Sequence, residues 1–176
     1  IIISDAENLI DAQGFSSDIT FIITGPLNHI GSLSKIWPSI IVGATIYIMD
    51  GIKDLNTFFN VVKNASSKVA TFQVPASLRM LIQFGEKQLK DCAEKFDFIE
   101  TGAAPISQAD MEILCKLLPN TRLYNTYAST ETGIIATHNF NDGYCVAGCL
   151  GKPMKHSAIT IDDNGFIVCE GKTLMV

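Results

Sequence analysis

The stretch FDFIETGAAPISQADMEILCKLL, residues 96–118, decides the fold. Its first part, FDFIET (96–101), is rich in aromatic and β-branched residues and predicts a strand, and GAAP (102–105) predicts the turn that ends it. Ser107 follows as the N-cap of a helix, with Asp110 at the third helical position, close to the capping-box pattern. The stretch therefore predicts a strand, a turn and a helix in direct succession.

The same unit occurs three more times before this stretch. Helical spacing of apolar residues predicts one helix that ends at Gly43, and Asp54 is the predicted N-cap of another. In chain order, the elements are a strand with its exit turn at 18–27, a helix at 30–43, a strand at 44–50, a helix after Asp54, a strand at 68–74 and a helix at 76–85. Strands that alternate with helices predict the α/β class, with a largely parallel sheet flanked by helices.

The pattern changes after residue 133. Short strand-like segments are separated there by NDG and DDNG, which are typical of antiparallel hairpins. We therefore expect two parts: residues 1–133 as an α/β subdomain and residues 134–176 as the start of a β-rich subdomain.

Composition and charge exclude several classes of protein. A hydrophobic share of 47% and a charged share of 18% are typical of a packed globular protein. The net charge is -5 and the basic residues are scattered, which argues against a nucleic acid or an anionic membrane as partner. Apolar runs stay short of the roughly 20 residues of a membrane helix, so no membrane span is predicted. The five dispersed cysteines predict reduced thiols and a cytoplasmic location.

Both ends of the sequence influence the expected partners. The chain begins without Met, and a strand pattern still continues in GKTLMV at its end. We expect an internal fragment whose partners include the N-terminal and C-terminal parts of its own chain. Exposed apolar residues at Ile1–Ile3 and Leu174–Val176 would then favour self-association of the fragment.

Three polar or glycine-bearing loops leave predicted strands: GPLNHIG (25–31), TGAAP (101–105) and YNTYASTETG (124–133). Ligands of open parallel sheets bind at the carboxyl ends of the strands, so we expect the three segments to converge there. Each has a structural explanation when taken alone, since GAAP suits an ordinary turn, STET is a common turn composition and His29 suits a structural histidine. Together they indicate a binding site.

The combination resembles the adenylate-forming superfamily, which includes acyl-CoA synthetases, firefly luciferase and peptide-synthetase adenylation domains. A Gly-Ala-Ala-Pro turn precedes Asn-x-Tyr-x-x-Thr-Glu-Thr-Gly, and Pro-Leu-x-His-x-x-Gly lies upstream. VAGCLGKPM (146–154) is similar to the next family segment. The resemblance covers nearly the whole chain in the family's order and implies an internal fragment of the large N-terminal domain. Ala128 departs from the family pattern, where many members have Gly.

The resemblance implies a nucleotide site. In it, Asn125 would offer its amide to the adenine edge and Tyr127 its ring to the purine face, while the GAAP backbone would cover the other side. The Thr130 hydroxyl would donate to the α-phosphate, and Glu131 would bind Mg²⁺. The implied nucleotide-binding residues are Gly102, Ala103, Ala104, Pro105, Asn125, Thr126, Tyr127, Ala128, Ser129 and Thr130.

The implied reaction joins a carboxylic acid to AMP from ATP and then passes the acyl group to a thiol, most often that of CoA. Thr130, Glu131 and His29 are the implied catalytic residues, with His29 as a gate between nucleotide and acid. Leu27, Ile30, Leu33 and Phe72 are candidates for the walls of the acid pocket. The family's phosphate loop and C-terminal lysine would lie outside residues 1–176.

Two alternatives remain open at this point. Amino-acid-activating members commonly place an Asp in the segment that corresponds to 25–31, where this chain has His29. An unpaired buried ammonium is costly, so a fatty or aryl acid is favoured over an amino acid. The alternatives are the amino-acid adenylation domain of a peptide synthetase and a non-catalytic nucleotide-binding relative.

Overall fold

A computed structural model describes residues 1–175 of the chain and contains a seven-stranded sheet with a separate two-stranded sheet. The order in the large sheet is β2-β1-β3-β4-β5-β6-β7. The parallel strands are β1 (Ile19–Ile23), β2 (Thr45–Ile48), β3 (Lys68–Phe72), β4 (Phe96–Gly102) and β5 (Arg122–Ser129). The antiparallel strands are β6 (Gly133–Asn139) and β7 (Lys152–Pro153) in the same sheet, and β8 (Ser157–Ile161) with β9 (Ile167–Gly171) in the small one.

Helices connect the parallel strands, and the predicted α/β class is confirmed. Asp54 accepts hydrogen bonds from the backbone N–H groups of Asn56 and Thr57, and Ser107 accepts one from Asp110, so both predicted N-caps are confirmed. The helices are α1 (Ile2–Gln13), α2 (Ile30–Leu33), α3 (Ile36–Val42), α4 (Leu55–Asn64), α5 (Pro75–Asp91) and α6 (Gln108–Leu117), with a 3₁₀ turn at Ala93–Lys95.

The sheet is covered on both faces. One core packs α4, α5 and α6 against strand residues such as Ile22 and Ile99. The other packs α1 and α3 against Phe21 and Phe98, which point to the opposite face because side chains alternate along a strand. Burial on both faces is typical of a parallel sheet.

Several predicted boundaries were wrong. The single helix expected at 30–43 is two short helices, because Pro38 has no N–H to donate to the carbonyl of Ser34. The helix expected at 76–85 continues to Asp91 beyond a kink at Gly85. YNTYASTETG, predicted as a connecting loop, is largely strand β5. The division at residue 133 remains a prediction; β6 begins there and pairs with β5.

Helix α1 was not predicted, and polar contacts hold it against the sheet. Asp5 accepts a hydrogen bond of 2.7 Å from the backbone N–H of Ile134, and Asn8 donates one of 3.0 Å to the Ile134 carbonyl. At the other end of α1, Gln13 donates to the Thr126 hydroxyl at 3.2 Å. These three polar side chains lie on the buried side of α1, so the helix lacks a continuous apolar stripe.

Two further expectations concern the exposure of the apolar chain ends and the lack of a membrane span. Ile1, Ile2 and Ile3 are more than half exposed, as expected, whereas Val176 lies outside the described residues. Within residues 1–175, every helix is too short or too polar to cross a membrane.

The buried carboxyl of Asp5 makes the stability of the fold depend on pH. Burial raises the pKa of Asp5, and the charge of Glu100 acts in the same direction, while the Ile134 N–H and Lys35 act against it. With the pKa raised, the folded protein holds the proton more tightly than the unfolded chain does. Stability therefore falls as pH rises from the ordinary value of 3.8 to above the raised pKa.

We predict that Asp5→Asn raises the free energy of unfolding at pH 7, because Asn still accepts the Ile134 hydrogen bond without a buried charge. Urea denaturation at a series of pH values measures this, and the gain should vanish once the pH is below 3.8. Asp11→Asn, at an exposed position of the same helix, is the control. A destabilised Asp5→Asn protein at pH 7 would contradict the prediction.

Candidate active site

The candidate site lies where the parallel strands end. Helix α3 follows β1 on one face of the sheet, and α5 follows the neighbouring strand β3 on the other face. The loops after β1 and β3 therefore diverge and leave a crevice beyond the strand ends. The segments 25–31 and 101–105 and the turn after β5 meet at this edge, as predicted.

Two adjoining clefts occupy this edge. The His29 cleft has a volume of about 210 Å³ and is lined by His29, Ile30, Gly31, Lys35, Phe72, Glu100, Gly102, Ala103, Thr126, Ala128, Ser129, Thr130 and Ile134. The Tyr127 cleft has a volume of about 420 Å³ and is lined by Ala103, Ala104, Pro105, Ile106, Asn125, Thr126, Tyr127, Ala128, Gly148 and Leu150. Ala103, Thr126 and Ala128 belong to both, so the two clefts are continuous along the end of β5.

The GAAP turn is strained and tightly packed. Ala103 has φ of 65° and is the one residue besides glycine with a positive φ in the described part of the chain. A side chain on Gly102 would place its Cβ 2.8 Å from the Thr126 carbonyl oxygen, so only glycine fits there. Strain of this kind persists where surrounding structure enforces it, often at a ligand site.

Strand β5 carries the residues that were predicted to contact adenine. The Asn125 side-chain amide donates one of its two N–H groups to the Cys149 carbonyl at 3.0 Å, and its Oδ1 remains available as an acceptor. The Thr126 hydroxyl is already engaged with Gln13 and with Thr137 at 2.9 Å. Thr126 therefore shapes the cleft, whereas Tyr127 is half-buried and lines it.

The turn after β5 carries the predicted phosphate and metal residues. Ser129 and Thr132 hold it closed, because their hydroxyls lie 3.0 Å apart and the Ser129 hydroxyl also accepts from the Thr132 backbone at 3.1 Å. Thr130 and Glu131 are exposed at its tip, and Thr130 lines the His29 cleft. The hydroxyl of Ser129 thus fixes the turn, and the side chains of Thr130 and Glu131 are accessible to a ligand.

His29 is fixed at the mouth of its cleft. Its Nδ1 accepts a hydrogen bond of 3.1 Å from the backbone of Gly31, which makes His29 the N-cap of α2. In the neutral ring the proton then lies on Nε2, which can donate to a ligand. Of the predicted acid-pocket residues, Ile30 and Phe72 line this cleft, whereas Leu27 and Leu33 are more than a third exposed outside its lining.

Sequence patterns missed two charged residues of the His29 cleft. Lys35 Nζ lies 2.8 Å from Glu100, and the two side chains are 0% and 1% exposed. The residues are separated by 65 positions in the chain, so no local motif joins them. The signal in the sequence was Lys35 as the single charge of the predicted helix at 30–43 and Glu100 within the predicted strand at 96–101, since an unpaired Lys or Glu is rarely buried.

Comparison with known proteins gives a consistent result. Residues 2–173 match the family model described as AMP-binding enzyme. Indoleacetate–CoA ligase of Aromatoleum aromaticum is 30% identical over 173 residues, which are 96% of this chain and 33% of that protein. 4-Coumarate–CoA ligase-like 6 of Arabidopsis thaliana is 28% identical over 150 residues, which are 81% of this chain and 26% of that protein. The chain thus spans a third or less of the length of these relatives.

A solved structure shares the fold. O-succinylbenzoate coenzyme A synthetase from Bacillus subtilis, in complex with ATP and magnesium ion, superposes with a TM-score of 0.85. The match covers 99% of this chain and 37% of that chain, at 21% sequence identity. At this identity the likeness concerns the arrangement of helices and strands.

The buried ion pair leads to a prediction about stability. Lys35→Met leaves the Glu100 carboxylate buried without its cation, which typically costs about 3–5 kcal/mol. The double variant Lys35→Met/Glu100→Leu removes both charges and should recover most of that loss, since apolar replacement of a whole buried pair is often neutral. Urea denaturation of the three proteins tests this, and equal stability of the single and double variants would contradict it.

Proposed function

The chain belongs to the AMP-binding enzyme family, as its resemblance to adenylate-forming enzymes predicted, and we propose that it carries the nucleotide and acid sites of an ATP-dependent carboxylic acid–CoA ligase. One observation carries the proposal: the Tyr127 cleft and the His29 cleft adjoin along the end of β5. A nucleotide in the first would bring its phosphates toward Thr130, at the rim of the second. An acid there would meet the α-phosphorus, and proximity of this kind is a major part of catalysis.

The Tyr127 cleft fits an adenine ring. Its walls combine the Tyr127 ring with the small side chains of Ala103 and Ala104, which let a flat base approach the backbone. The free acceptor at Asn125 is Oδ1, which suits the amino group of adenine. The residues present therefore match the predicted base site, with the carbonyl of Asn125 in place of its amide as the group offered to the ligand.

Glu131 fits the predicted metal site in type and position. Its exposed carboxylate follows Thr130 at the tip of the turn, and Mg²⁺ binds through one or two carboxylates together with phosphate oxygens and water. When bound, the ion would neutralise charge on the phosphates. Thr130 would donate its hydroxyl to the α-phosphate, and His29 would separate the nucleotide from the acid.

The favoured acid is an aryl acid, activated and then transferred to CoA. The relatives are named for indoleacetate and 4-coumarate, both aromatic carboxylic acids. An amino acid is disfavoured because its ammonium would enter a cleft that already contains Lys35, whose partner Glu100 is engaged. The free state of the five cysteines supports the cytoplasm as the location.

We predict that the 176-residue chain binds MgATP weakly through Tyr127 and releases no pyrophosphate by itself. Loss of base–aromatic stacking typically costs about 1–3 kcal/mol, so Tyr127→Ala should weaken binding roughly 5- to 150-fold in a calorimetric titration. Tyr47→Ala, on the edge strand β2, is the matched control. Unchanged MgATP affinity in Tyr127→Ala would show that the adenine base does not bind in the Tyr127 cleft. Sustained pyrophosphate release would show that the chain is catalytically active by itself.

We also predict that Glu131→Ala abolishes Mg²⁺-dependent, acid-dependent pyrophosphate release by the full open reading frame that carries this chain. Thr130→Ala should lose less, because a neutral hydrogen bond is typically worth about 0.5–1.5 kcal/mol. Glu86→Ala, at an exposed position of α5, controls for loss of a surface charge. Release by Glu131→Ala within a few-fold of wild type at limiting Mg²⁺ would rule out the metal site.

A further inference from the structure

The loop between β6 and β7 holds a cysteine against a cysteine of α6. Cys115 lies near the end of α6, and Cys145 lies in the loop, 30 positions later in the chain. The two sulfur atoms are 4.0 Å apart, and both thiols are free and half-buried. Neither thiol has a part in the proposed binding of nucleotide or acid.

The side chain of Gln108, at the start of α6, fixes the loop at this place. Its Nε2 donates to the Cys145 carbonyl at 2.8 Å, and its Oε1 accepts from the backbone N–H of Ala147 at 2.7 Å. The backbone on both sides of the Cys145 sulfur is therefore held to α6 by groups that are not thiols. Two groups held together in this way react far faster than the same groups free in solution.

The surroundings distinguish the two thiols. Burial raises the pKa of the Cys115 thiol, and the adjacent Cys145 acts in the same direction. Cys115 therefore keeps its proton, and its S–H group donates toward the Cys145 sulfur. Cys145 lies between the exposed residues Tyr144 and Val146, so a reagent in solution reaches its sulfur first.

The same loop forms part of the Tyr127 cleft. Gly148 and Leu150 line this cleft, and the Cys149 carbonyl between them accepts the hydrogen bond from Asn125. Residues 103–106 line the cleft as well, and they lead directly into α6. A covalent bond between α6 and the loop would therefore join two walls of the Tyr127 cleft.

We propose that Cys115 and Cys145 form a site of reversible thiol oxidation, at which a low-molecular-weight disulfide converts the two thiols into a disulfide that ties the loop to α6 and weakens nucleotide binding in the Tyr127 cleft. The effect on the nucleotide rests on the proposed function, whereas the modification and its effect on the loop do not. Disulfides of cytosolic proteins are usually transient and redox-sensing, which is the behaviour proposed here.

The chemistry consists of two successive thiol–disulfide exchanges. The Cys145 thiolate attacks one sulfur of the reagent RSSR, breaks its S–S bond and releases RS⁻. The Cys115 sulfur then attacks Cys145 Sγ in the mixed disulfide and releases the second RS⁻. The two cysteine protons end on the two released thiolates, so the cysteines lose two electrons and RSSR gains them as two RSH. An excess of RSH reverses the reaction.

The cross-link changes the position of the loop. The two sulfurs must approach from 4.0 Å to covalent contact at about 2 Å. Met111 and Leu114 anchor α6 in the core with 0% exposure, so the loop moves rather than the helix. Because the displaced loop contains two lining residues and the acceptor of the Asn125 hydrogen bond, we expect the oxidised cleft to bind nucleotide less tightly.

The test treats the unmodified chain with an excess of glutathione disulfide, alkylates the remaining thiols and maps the products by peptide mass spectrometry. We expect a Cys115–Cys145 disulfide, with the other three of the five cysteines alkylated, and its complete reversal by reduced glutathione. The same treatment in urea should form about tenfold less of it, because the folded contact is absent there. Five alkylated thiols, a stable glutathione adduct, or a main product that joins another pair of cysteines would overturn the inference.

Variants connect the reaction to the contact between α6 and the loop. Cys145→Ser and Cys115→Ala should each abolish the disulfide, whereas Cys169→Ser, on β9, is the matched control and should form as much of it as the wild type. Gln108→Leu should slow its formation, since the loop is no longer held beside Cys115. An unchanged rate in folded Gln108→Leu would contradict the role of Gln108; the peptide map of the unmodified chain decides the proposal if a variant does not fold.

Two measurements on the reduced and the oxidised chain separate this inference from the proposed function. Backbone amide hydrogen exchange should be slower at residues 145–150 after oxidation, whether or not a nucleotide binds. MgATP should bind about threefold or more weakly to the oxidised chain, and the same treatment should leave the affinity of Cys145→Ser unchanged. Equal MgATP affinity of both forms would overturn the regulation of the cleft. If MgATP binds neither form, the proposed function fails, and the exchange at residues 145–150 decides the inference: slower exchange supports it and unchanged exchange overturns it.

Discussion

A parallel sheet that is buried on both faces is open only at its edges and at its strand ends, and the rest of the structure depends on this constraint. Helices α1 and α3 cover one face, and α4, α5 and α6 cover the other. The polar groups that a ligand needs are therefore confined to the loops at the carboxyl ends. The change of face between the helix after β1 and the helix after β3 opens the crevice there.

The parts of the fold that depend on local chemistry could be predicted from the sequence. Asp54 and Ser107 could be predicted as N-caps because Asp and Ser favour the position before a helical pattern. Glycine and proline likewise mark the ends of strands. Helix α1 could not be predicted, because Asp5, Asn8 and Gln13 occupy its buried side and hydrogen bonds replace apolar contacts there. Its pattern becomes intelligible only when the partner strand is known.

Strand β5, in the candidate site, also could not be predicted from its local sequence pattern. Its polar composition is typical of a loop, but Thr126 and Thr137 pair across β5 and β6, and Gln13 completes the contact. The alternation of strands and helices predicted that these segments meet at one sheet edge, as the structure shows, whereas the local pattern gave the wrong secondary structure. Lys35 and Glu100 belong to no motif and meet only through the tertiary fold, so sequence patterns did not reveal them.

The buried ion pair and the strained Ala103 adjoin one another in the same cleft, since Glu100 is followed within three residues by Ala103. Neither is explained by stability: apolar side chains of similar size often serve a core as well as a buried ion pair, and a positive φ at alanine is unfavourable. Phe72 and Tyr124, which pair with Glu100 in the neighbouring strands β3 and β5, are both aromatic. Departures from simple packing that collect at one strand end are the physical mark of a site whose residues are kept for what they bind.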